Sequence, residues 1–465
     1  MKNENTDHVS SFISRRDFLR RSSAAAVGGS LLASLPVASF ANSSNDETIK
    51  VALVGCGGRG TGAAGQALNT DGPVKLVAMA DLYEDTIKTS LANLQGTPEK
   101  PGGAAGWSGS VKDKIDVPPD RQFTGFDAYK KAIALADIVI LTTPPGFRPM
   151  QFEEAVRQGK HVFMEKPVCI DAPGFHKVMN AAQEAKKKNL KVGVGLQRRH
   201  QQGYMETIQR LQGGAIGDIV SMRAYWTGNP PWVHARADLE KQYGRKLTEM
   251  EYQLRNWYHF LWLCGDHIIE QHVHNLDVIN WLKNDHPISA RGMGGLDPGK
   301  GADYGEIFNH HAVEFTYADG TICHSMSRQQ LGCWNDVSEF ALGTKGKSQL
   351  DRQLISGPSA WHYKGAWKNP YQVEHDDLFD AIRNDKPYNE AEYGAMSAFT
   401  GVLGRMATYS GTEIEWDQAV NSKIDTMVKD IDKVSFADAW NLNPPTLPGP
   451  DGNYKIPVPG ETVVI

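Results

Sequence analysis

The sequence predicts an α/β protein with an N-terminal Rossmann domain, a doubly wound parallel sheet, followed by an α+β domain with a mostly antiparallel open sheet. Over residues 49–196, short apolar runs alternate with helical segments, which is typical of a parallel sheet. A glycine-rich loop follows the first run. In the second half, strand-like stretches lack this alternation, and Asp319-Gly320 between two of them indicates a hairpin turn.

The glycine-rich loop is the most informative stretch of the chain. Val51 to Val54 predicts a buried strand, and Gly55, Gly57 and Gly60 follow it with the spacing G-x-G-x-x-G. In dinucleotide-binding proteins the first glycine permits a tight turn. The second lets the backbone approach a pyrophosphate, and the third lets the helix pack on the strand. The free N–H groups at the start of that helix then bind the phosphate charge.

A second apolar run, Val74 to Ala80, ends at Asp81, twenty-one positions after Gly60. At this place an acidic side chain accepts hydrogen bonds from the ribose hydroxyls of the adenosine. The Asp81 carboxylate would repel a 2′-phosphate. The sequence therefore predicts NAD rather than NADP as the cofactor.

Three further strands are predicted in order along the Rossmann domain. They span 136–141, 160–164 and 191–196, and helices over 148–158 and 173–188 accompany them. In such sheets the ligand lies at the carboxyl ends of the strands, so the residues there are expected to converge on one crevice. The predicted cofactor-binding residues are Gly55, Gly57, Gly58, Arg59, Gly60, Asp81, Thr142, Thr143, Pro144, Glu165, Lys166 and Gln197.

The N-terminus predicts export by the twin-arginine route. Residues 14–20 read SRRDFLR, a mildly apolar stretch covers 24–40, and small residues predict cleavage after Ala41, before a polar linker at 42–48. This route delivers folded proteins to the periplasm, where free NAD is scarce. We therefore expect the twin-arginine machinery as a partner and a tightly held, recycled NAD. No other stretch approaches the ~20 apolar residues that a membrane span needs.

Composition narrows the classes of partner. The 465 residues carry a net charge of −5 without a basic cluster beyond the leader, so no nucleic acid is expected. Eleven Trp and fifteen Tyr favour a carbohydrate, because aromatic planes stack on sugar rings. The cysteines have neither metal nor redox spacing. We interpret all five as buried thiols: Cys56, Cys169, Cys264, Cys323 and Cys333.

The second domain is predicted to span 197–419. Its strands are expected at 218–226, 289–293, 310–317, 321–327 and 339–343, and its helices at 251–263, 274–283, 373–384 and 392–408. A Pro/Gly-rich arm, residues 420–465, is expected to wrap another surface. A long loop at 96–120 is inserted in the first domain.

Five stretches, VALVGCGGRG, TTPP, GKHVFMEKPV, GLQRRH and GDHIIEQHVHNLDVINW, resemble the Gfo/Idh/MocA family (glucose–fructose oxidoreductase and inositol dehydrogenase). The resemblance covers Lys50 to Gly411. It implies a Rossmann domain followed by an α/β domain, whose open sheet forms the substrate wall and often a subunit interface. A homo-oligomer formed through that sheet is therefore expected.

The resemblance also implies catalytic roles. Lys166 is expected to contact the nicotinamide ribose and the reacting hydroxyl, where its charge supports proton removal. His274 aligns with the family's base for that hydroxyl, and Asp277 with a trailing acid. Glu270 stands where aspartate is usual. It is expected to orient or buffer His274, although its longer side chain leaves the proton relay open.

Further residues are candidates for binding the sugar. Arg198 is expected to face the crevice while Arg199 forms a surface ion pair. His267 and His272 either bind substrate hydroxyls or are satisfied core histidines. Aromatic and amide side chains between 225 and 234 suit a sugar ring or ordinary core packing. No metal is predicted, because the histidines and Glu270 match no strong metal motif. The substrate-binding set is Arg198, Trp226, Trp232, His272 and Asp277.

These observations favour an exported NAD-dependent oxidoreductase that acts on a secondary hydroxyl of a sugar or glycoside, with C3 as the preferred position. One alternative is an NAD-dependent glycoside hydrolase that works by transient oxidation and elimination. The chain reads EQHVHNLD where such relatives tend to have a Y-P-T-H-G-L-G-like stretch, which argues against it. A second alternative is a non-catalytic NAD-containing binding protein. The presence of Lys166 and His274 argues against that.

Overall fold

The computed structural model describes residues 47–96, 107, 109–297 and 300–465. The predicted leader (1–41), most of the linker and part of the inserted loop lie outside the described residues. The export signal and the domain boundaries therefore stay predictions. Within the described part of the chain, no helix is both long and apolar enough to cross a membrane.

A six-stranded parallel sheet forms the first half of the described chain. Its strands are β1 (Ile49–Val54), β2 (Val74–Asp81), β3 (Gln122–Thr124), β4 (Ile138–Leu141), β5 (His161–Met164) and β6 (Val192–Val194). The helices are α1 (Gly58–Leu68), α2 (Glu84–Leu94), α3 (Ala128–Ala134), α4 (Arg148–Arg157) and α5 (Ala172–Lys187). The strand order is β3-β2-β1-β4-β5-β6, and all neighbours are parallel.

The strand order reverses between β1 and β4, which makes this point the switch of the sheet. A crevice for ligands opens there, outside the carboxyl ends of the strands. All four residues of β4, Ile-Val-Ile-Leu, are buried, as expected for a strand covered on both faces. The helix α4 ends just before Gly159, which adopts a left-handed φ of +71°.

A nine-stranded mixed sheet forms the second half. Its strands are β7 (Ile219–Gly228), β8 (Pro287–Gly295), β9 (His310–Tyr317), β10 (Ile322–Gln329), β11 (Asp336–Gly343), β12 (Lys347–Gln349), β13 (Leu354–Ser356), β14 (Trp361–His362) and β15 (Ile414–Glu415). The order is β14-β13-β12-β11-β7-β10-β9-β8-β15. Among the strand pairs of this sheet in the described part of the chain, only β7–β10 is parallel. The predicted fold class is therefore confirmed.

The second half also contains helices. They are α6 (Gln202–Gln212), α7 (Arg236–Tyr243), α8 (Glu249–Arg255), α9 (Leu261–Cys264), α10 (His267–Glu270), α11 (Val273–Lys283), α12 (Pro370–Arg383), α13 (Ala391–Ser410), α14 (Trp416–Val420) and α15 (Phe436–Ala439). The helix α11 packs on β7 and β11, and α13 packs on β8 and β9, so these two cover one face of the nine-stranded sheet. The helix α12 instead packs on α1, β5 and β6 of the first sheet, which ties the two halves together.

The helix predicted over 251–263 is wrong as a single element. The structure has α8, a single 3₁₀ turn at Trp257–His259, and the separate helix α9. The break lies at Asn256, which is fully buried. Its amide nitrogen donates to the carbonyl oxygen of Asp303 (2.8 Å), and its amide oxygen accepts the backbone N–H of His234 (2.9 Å). These tertiary hydrogen bonds end the helix where periodicity alone would continue it.

The prediction of five buried cysteines is wrong in one case. Cys56, Cys169, Cys264 and Cys323 are free and buried, whereas Cys333 is exposed. Cys333 lies between β10 and β11, where the chain turns outside the sheet. Connecting segments of this kind run over the protein surface, because buried turns would leave backbone polar groups unpaired.

The second face of the nine-stranded sheet is open in the described chain. Met293 is 75% exposed and Leu342 is 49% exposed, and Met326 also points outward between them. Tyr225 and Phe340, on paired neighbouring strands, are half-buried on the same face. The result is a broad exposed surface that carries apolar side chains where polar residues are expected, together with the ion pair of Arg291 and Glu314.

Candidate active site

The glycine loop joins β1 to α1 and has the geometry that the spacing predicts. Gly55 has a φ of +91°, and a Cβ there would lie 2.6 Å from the backbone nitrogen of Thr143. A Cβ on Gly60 would lie 2.0 Å from the carbonyl oxygen of Gly55. Both contacts exclude any larger residue. Gly57, in contrast, faces open space, which is the place where a pyrophosphate approaches the backbone.

A cleft of about 570 Å³ opens beside this loop, within the range of small-molecule sites. Of the predicted cofactor residues, it is lined by Gly55, Gly57, Gly58, Arg59, Gly60, Asp81, Thr142, Thr143 and Pro144. The helix α1 starts at Gly58 without a side-chain cap and without an acidic residue in its first turn. Its N–H groups and dipole are thus available to an anion.

Asp81 lies in the cleft at the end of β2. Its carboxylate accepts the backbone N–H groups of Cys56 (2.7 Å) and Tyr83 (3.0 Å). Burial raises the pKa of Asp81, and these donors together with the charge of Arg255 oppose the rise. Three features together fit NAD. The backbone at Gly57 leaves space for a pyrophosphate, the helix α1 starts without a side-chain cap, and an acidic residue ends β2.

Three predicted cofactor residues, Glu165, Lys166 and Gln197, do not line this cleft. Glu165 forms an ion pair with Arg59, with 2.6 Å between Arg59 Nε and Glu165 Oε1. The side-chain amide of Gln197 donates to the hydroxyl oxygen of Tyr371, 3.1 Å from Gln197 Nε2. Both Glu165 and Gln197 lie at strand ends as predicted. Their side chains, however, turn to neighbouring residues because α12, which carries Tyr371, packs against this edge.

The second half of the chain covers the other side of the cleft. Trp232, His234, Leu254, Arg255 and Trp257 all line it. Trp232 is 42% exposed and packs on His234, with 4.6 Å between ring centroids. Trp232 thus lines the nucleotide cleft, and its role in a sugar site with Trp226 stays a prediction.

The C-terminal arm contacts Tyr83, a residue that lines this cleft. The guanidinium carbon of Arg255 lies 3.4 Å from the ring centroid of Tyr83. Tyr83 in turn stacks on Trp440 of the arm, at 5.7 Å and 26° between ring planes. Sequence patterns do not reveal these contacts, because each partner comes from a different segment.

Lys166 and Glu270 form the centre of the site next to the cleft. Lys166 follows β5 and precedes Pro167 through a cis peptide bond. Its ammonium group donates to the carbonyl oxygen of Glu270 (2.6 Å) and lies 3.3 Å from Glu270 Oε1. Burial raises the pKa of Glu270, and the charge of Lys166 opposes the rise. The Glu270 carboxylate is thus bonded to Lys166, whereas the sequence predicts that it orients His274.

His274 lies in the first turn of α11, and its ring stacks on Trp226 at 5.8 Å. Burial, with the nearby charges of Lys166 and Arg198, lowers its pKa well below the usual value, so the ring is neutral. Within the described chain, His274 Nδ1 and Glu270 Oε2 are among the buried atoms that have no hydrogen-bond partner. Buried polar atoms are normally paired, so both are available to a ligand.

The aromatic cluster predicted between 225 and 234 does not form as one unit. Tyr225 and Trp226 are consecutive on β7, so their side chains point to opposite faces of the sheet. Trp226 faces His274, whereas Tyr225 packs on Trp334 and Phe340 of the open face. Of the two, Trp226 is in a position to contact a ligand beside His274.

Two predicted substrate residues are held in buried ion pairs. Arg198 pairs with the fully buried Glu339. Arg199 binds Asp277 through two nitrogens, at 2.8 Å and 3.0 Å from Asp277 Oδ1, and Ser397 donates to the same oxygen (2.8 Å). Asp277 is 1% exposed and is therefore corrected to a structural role. Arg199, predicted as a surface ion pair, is mostly buried as well.

The extra histidines also have partners in the core. His272 Nε2 lies 2.7 Å from the hydroxyl oxygen of Ser325, and the side chain is fully buried. Burial, with the charges of His267 and Arg198, lowers the pKa of His272 to about 3. His272 is thus a neutral core histidine, which is one of the two alternatives that the sequence leaves open, and the burial of the side chain does not favour the other, substrate binding. His267 lies deeper, beside Asp266 and His311.

Arg148 is a site residue that sequence patterns do not reveal, because an arginine at a helix start is usually exposed. It is 1% exposed and donates to the carbonyl oxygen of Thr143 (2.6 Å). Burial lowers its pKa to about 10, and the carboxylates of Glu165 and Glu270 oppose this. The buried guanidinium group of Arg148 thus places a positive charge next to Thr143 of the cleft and near the carboxylate of Glu270.

Comparison with known proteins agrees with this geometry. Residues 49–196 match the GFO_IDH_MocA model, described as an oxidoreductase family with an NAD-binding Rossmann fold. The inositol 2-dehydrogenase of Cereibacter sphaeroides is 24% identical over 244 residues, which are 52% of this chain and 57% of that protein. The 2,7-anhydro-N-acetylneuraminate hydratase of Escherichia coli is 23% identical over 227 residues, 48% of this chain and 54% of that protein. The chain thus spans little more than half the length of these curated relatives.

A solved structure shows the same fold over most of the chain. The scyllo-inositol dehydrogenase of Lactobacillus casei, solved with bound NAD(H) and scyllo-inositol, superposes with a TM-score of 0.57 at 20% identity. The superposition covers 81% of this chain and 100% of that chain. With the family match and the cleft geometry, the predicted cofactor, NAD, is confirmed.

Proposed function

We propose that the chain is an NAD-dependent oxidoreductase of the Gfo/Idh/MocA family, whose model its Rossmann domain matches, and that it oxidises a secondary hydroxyl of a sugar, glycoside or cyclic polyol. One observation carries this proposal. The buried Lys166–Glu270 pair and the neutral His274 lie together beside the nucleotide cleft.

The chemistry follows from the charge and the free lone pairs of these side chains. Bound NAD supplies the hydride acceptor. The substrate hydroxyl is placed between Lys166 and His274, and its proton passes to the unpartnered His274 Nδ1. The ammonium group of Lys166 stabilises the alkoxide that develops as this proton leaves. The fixed carboxylate Oε2 of Glu270 accepts a hydrogen bond from a neighbouring hydroxyl, which favours substrates with adjacent hydroxyl groups.

A panel of inositols, sugars and glycosides tests the proposal. The purified chain is incubated with NAD, and each product is examined by mass spectrometry for the loss of two hydrogens. We expect oxidation of at least one member, and no oxidation by the His274→Ala variant. Turnover that persists in His274→Ala would remove this residue as the base, and no turnover of any member would contradict the proposal.

A second candidate function is cleavage by transient oxidation at C3 and elimination. The similarity to a curated hydratase supports it, since that protein's name denotes the addition of water. Oxidation at C3 acidifies the hydrogen on C2, elimination expels the aglycone, water adds, and the ketone is reduced again. A nitrophenyl glycoside separates the two functions. Free sugar without a change in cofactor redox state favours cleavage, whereas a keto-glycoside and a reduced nicotinamide favour oxidation.

We further propose that the cofactor is held tightly and recycled on the protein. Arg255 from the second half and Trp440 from the arm meet Tyr83 at the cleft, and such a cover slows release. Chain purified under mild conditions is expected to release nearly one NAD per molecule on denaturation. The Trp440→Ala variant is expected to release less, and equal retention would contradict the role of the arm.

Export and self-association complete the proposal. For export, the double variant Arg15→Lys, Arg16→Lys is expected to remain in the cytoplasm, and unchanged periplasmic yield would contradict the twin-arginine route.

For self-association, we propose that a second copy covers the open face of the nine-stranded sheet. The Met326→Glu variant is expected to sediment as a smaller species than the unmodified chain, since Met326 is 42% exposed at the centre of that face.

A further inference from the structure

A cluster of three buried side chains lies apart from the Lys166–Glu270 pair. Asp266 and His267 are consecutive at the start of α10, and His311 is the second residue of β9. One potential ligand atom from each residue lies within 4.8 Å of the other two. Asp266 and His267 are fully buried, and His311 is 3% exposed.

His267 is the unexplained member of this cluster. Neither ring nitrogen has a hydrogen-bond partner among the described residues. Buried polar groups normally have hydrogen-bond partners, so an imidazole without any requires an explanation, and a bound ion is one. The His267 ring lies 5.1 Å from the His311 ring, and one of its nitrogens lies within 4.8 Å of a carboxylate oxygen of Asp266 and of a nitrogen of His311.

Hydrogen bonds with neighbouring residues orient the side chains of Asp266 and His311. Asp266 Oδ2 accepts the backbone N–H of Phe308 (3.1 Å) and the hydroxyl of Tyr409 (2.6 Å). His311 Nδ1 lies 2.9 Å from the hydroxyl oxygen of Thr408. Partners of this kind orient the ligands of metal sites. They leave Asp266 Oδ1 and His311 Nε2 turned towards each other at 3.0 Å.

We propose that Asp266, His267 and His311 bind a structural zinc ion. Zinc accepts two imidazole nitrogens and a carboxylate oxygen with bonds of about 2.0–2.2 Å, which places ligand atoms about 3.3 Å apart. The Asp266–His311 separation already agrees with this value. A rotation of the His267 ring that moves its nitrogen by about 1.5 Å closes the largest gap, and a water molecule takes the fourth position. On binding, zinc would replace the contact between His311 Nε2 and Asp266 Oδ1.

A zinc ion at this site would link residues 266–274, which contain Glu270 and His274, to the nine-stranded sheet. Asp266 and His267 begin the segment that continues to Glu270 and His274, and His311 belongs to β9. Thr408 and Tyr409 add the end of α13. A zinc ion would thus hold three elements together directly beneath the residues proposed to act on the substrate. The inference does not depend on the proposed reaction.

Metal content tests the inference without an activity assay. The full chain is loaded with zinc chloride during refolding, dialysed, denatured, and assayed for released zinc. We expect one zinc ion per chain, and a loss to background in His267→Ala and His311→Ala. The matched control is His375→Ala, because His375 is also fully buried with neither ring nitrogen paired among the described residues. The control is expected to keep its zinc.

Two outcomes would overturn the site. One is unmodified chain that carries no more zinc than His267→Ala. The other is a loss of zinc in His375→Ala that equals the loss in His267→Ala. If the ligand variants fail to fold, unmodified chain freed of metal is titrated with Co²⁺. The inference then requires the visible absorption bands of cobalt bound by nitrogen and oxygen ligands, and their absence contradicts it.

Discussion

The nucleotide cleft and the catalytic region beside it are built by different means. The cleft is made by backbone, with Gly55 and Gly60 too crowded for any side chain and Gly57 open to the ligand. The proposed catalytic region is made by buried charged side chains, with Lys166 paired to Glu270 and Arg198 paired to Glu339. Backbone binding depends on local turn geometry, whereas paired charges depend on residues distant in the chain. NAD binding in the cleft should therefore tolerate substitutions in distant segments, whereas the paired charges of the second region should not.

The largest effect is expected on the catalytic side, from Lys166→Ala. Loss of the ammonium group removes the stabilisation of the developing alkoxide. We expect kcat to fall by a factor of about 10³, equivalent to about 4 kcal/mol, because one acid–base or electrostatic group contributes on the order of 10²–10⁴. Retained NAD with lost turnover would confirm the division between the two regions. Loss of NAD to the same extent would break it, and NAD content is measured in the same preparation.

A buried ion pair gives the next effect. Arg198→Met leaves the fully buried Glu339 without its cation, although Tyr204 still donates to it (3.0 Å). We expect the free energy of unfolding to fall by about 3 kcal/mol, since an uncompensated buried charge costs on the order of 3–5 kcal/mol. The control is Arg291→Met, which breaks a largely exposed pair with Glu314 and should change stability by less than about 1 kcal/mol. Equal losses in denaturant melts would contradict the argument.

Two glycine variants sharpen the comparison on the backbone side. Gly60→Ala places a Cβ 2.0 Å from the carbonyl oxygen of Gly55 and must distort the loop. Gly57→Ala meets no protein atom within 4 Å, so it leaves the fold intact and obstructs only the pyrophosphate. We expect both to weaken NAD binding by a factor of about 10–100, equivalent to about 1.4–2.7 kcal/mol. Only Gly60→Ala should also lower the melting temperature of the NAD-free chain.

The smallest effect concerns pH. The pKa of His272 is lowered from 6.5 to about 3, chiefly by burial. Between these two pH values, His272 is therefore protonated in the unfolded chain and neutral in the folded chain. The stability from this group is full above pH 6.5 and is lost as the pH falls towards about 3. At about pH 5 we expect a loss on the order of 2 kcal/mol. In His272→Gln the same fall in pH should cost less, and an identical pH dependence would contradict the assignment.

How much of the site could be predicted differs between the two regions. The glycine spacing and Asp81 identify the cleft correctly, because each glycine acts on atoms close to it in the chain or on the adjacent strand. Arg198 lies just after β6, at the strand end where the sequence places it. The partners of Arg198 and Asp277, which are Glu339 and Arg199, however, come from distant segments. A pattern cannot tell whether such a side chain faces a ligand or another side chain.

The sequence by itself determined the parallel first sheet, the mostly antiparallel second sheet and the NAD cofactor, because period, glycine spacing and terminal acids are local signals. Only the tertiary structure decided that Glu270 pairs with Lys166, that Trp232 faces the nucleotide cleft and that Asp266, His267 and His311 meet. These pairings depend on which faces of separate elements pack together. Burial then selects partners that can satisfy charge and hydrogen bonds, and that selection is a property of the folded chain as a whole.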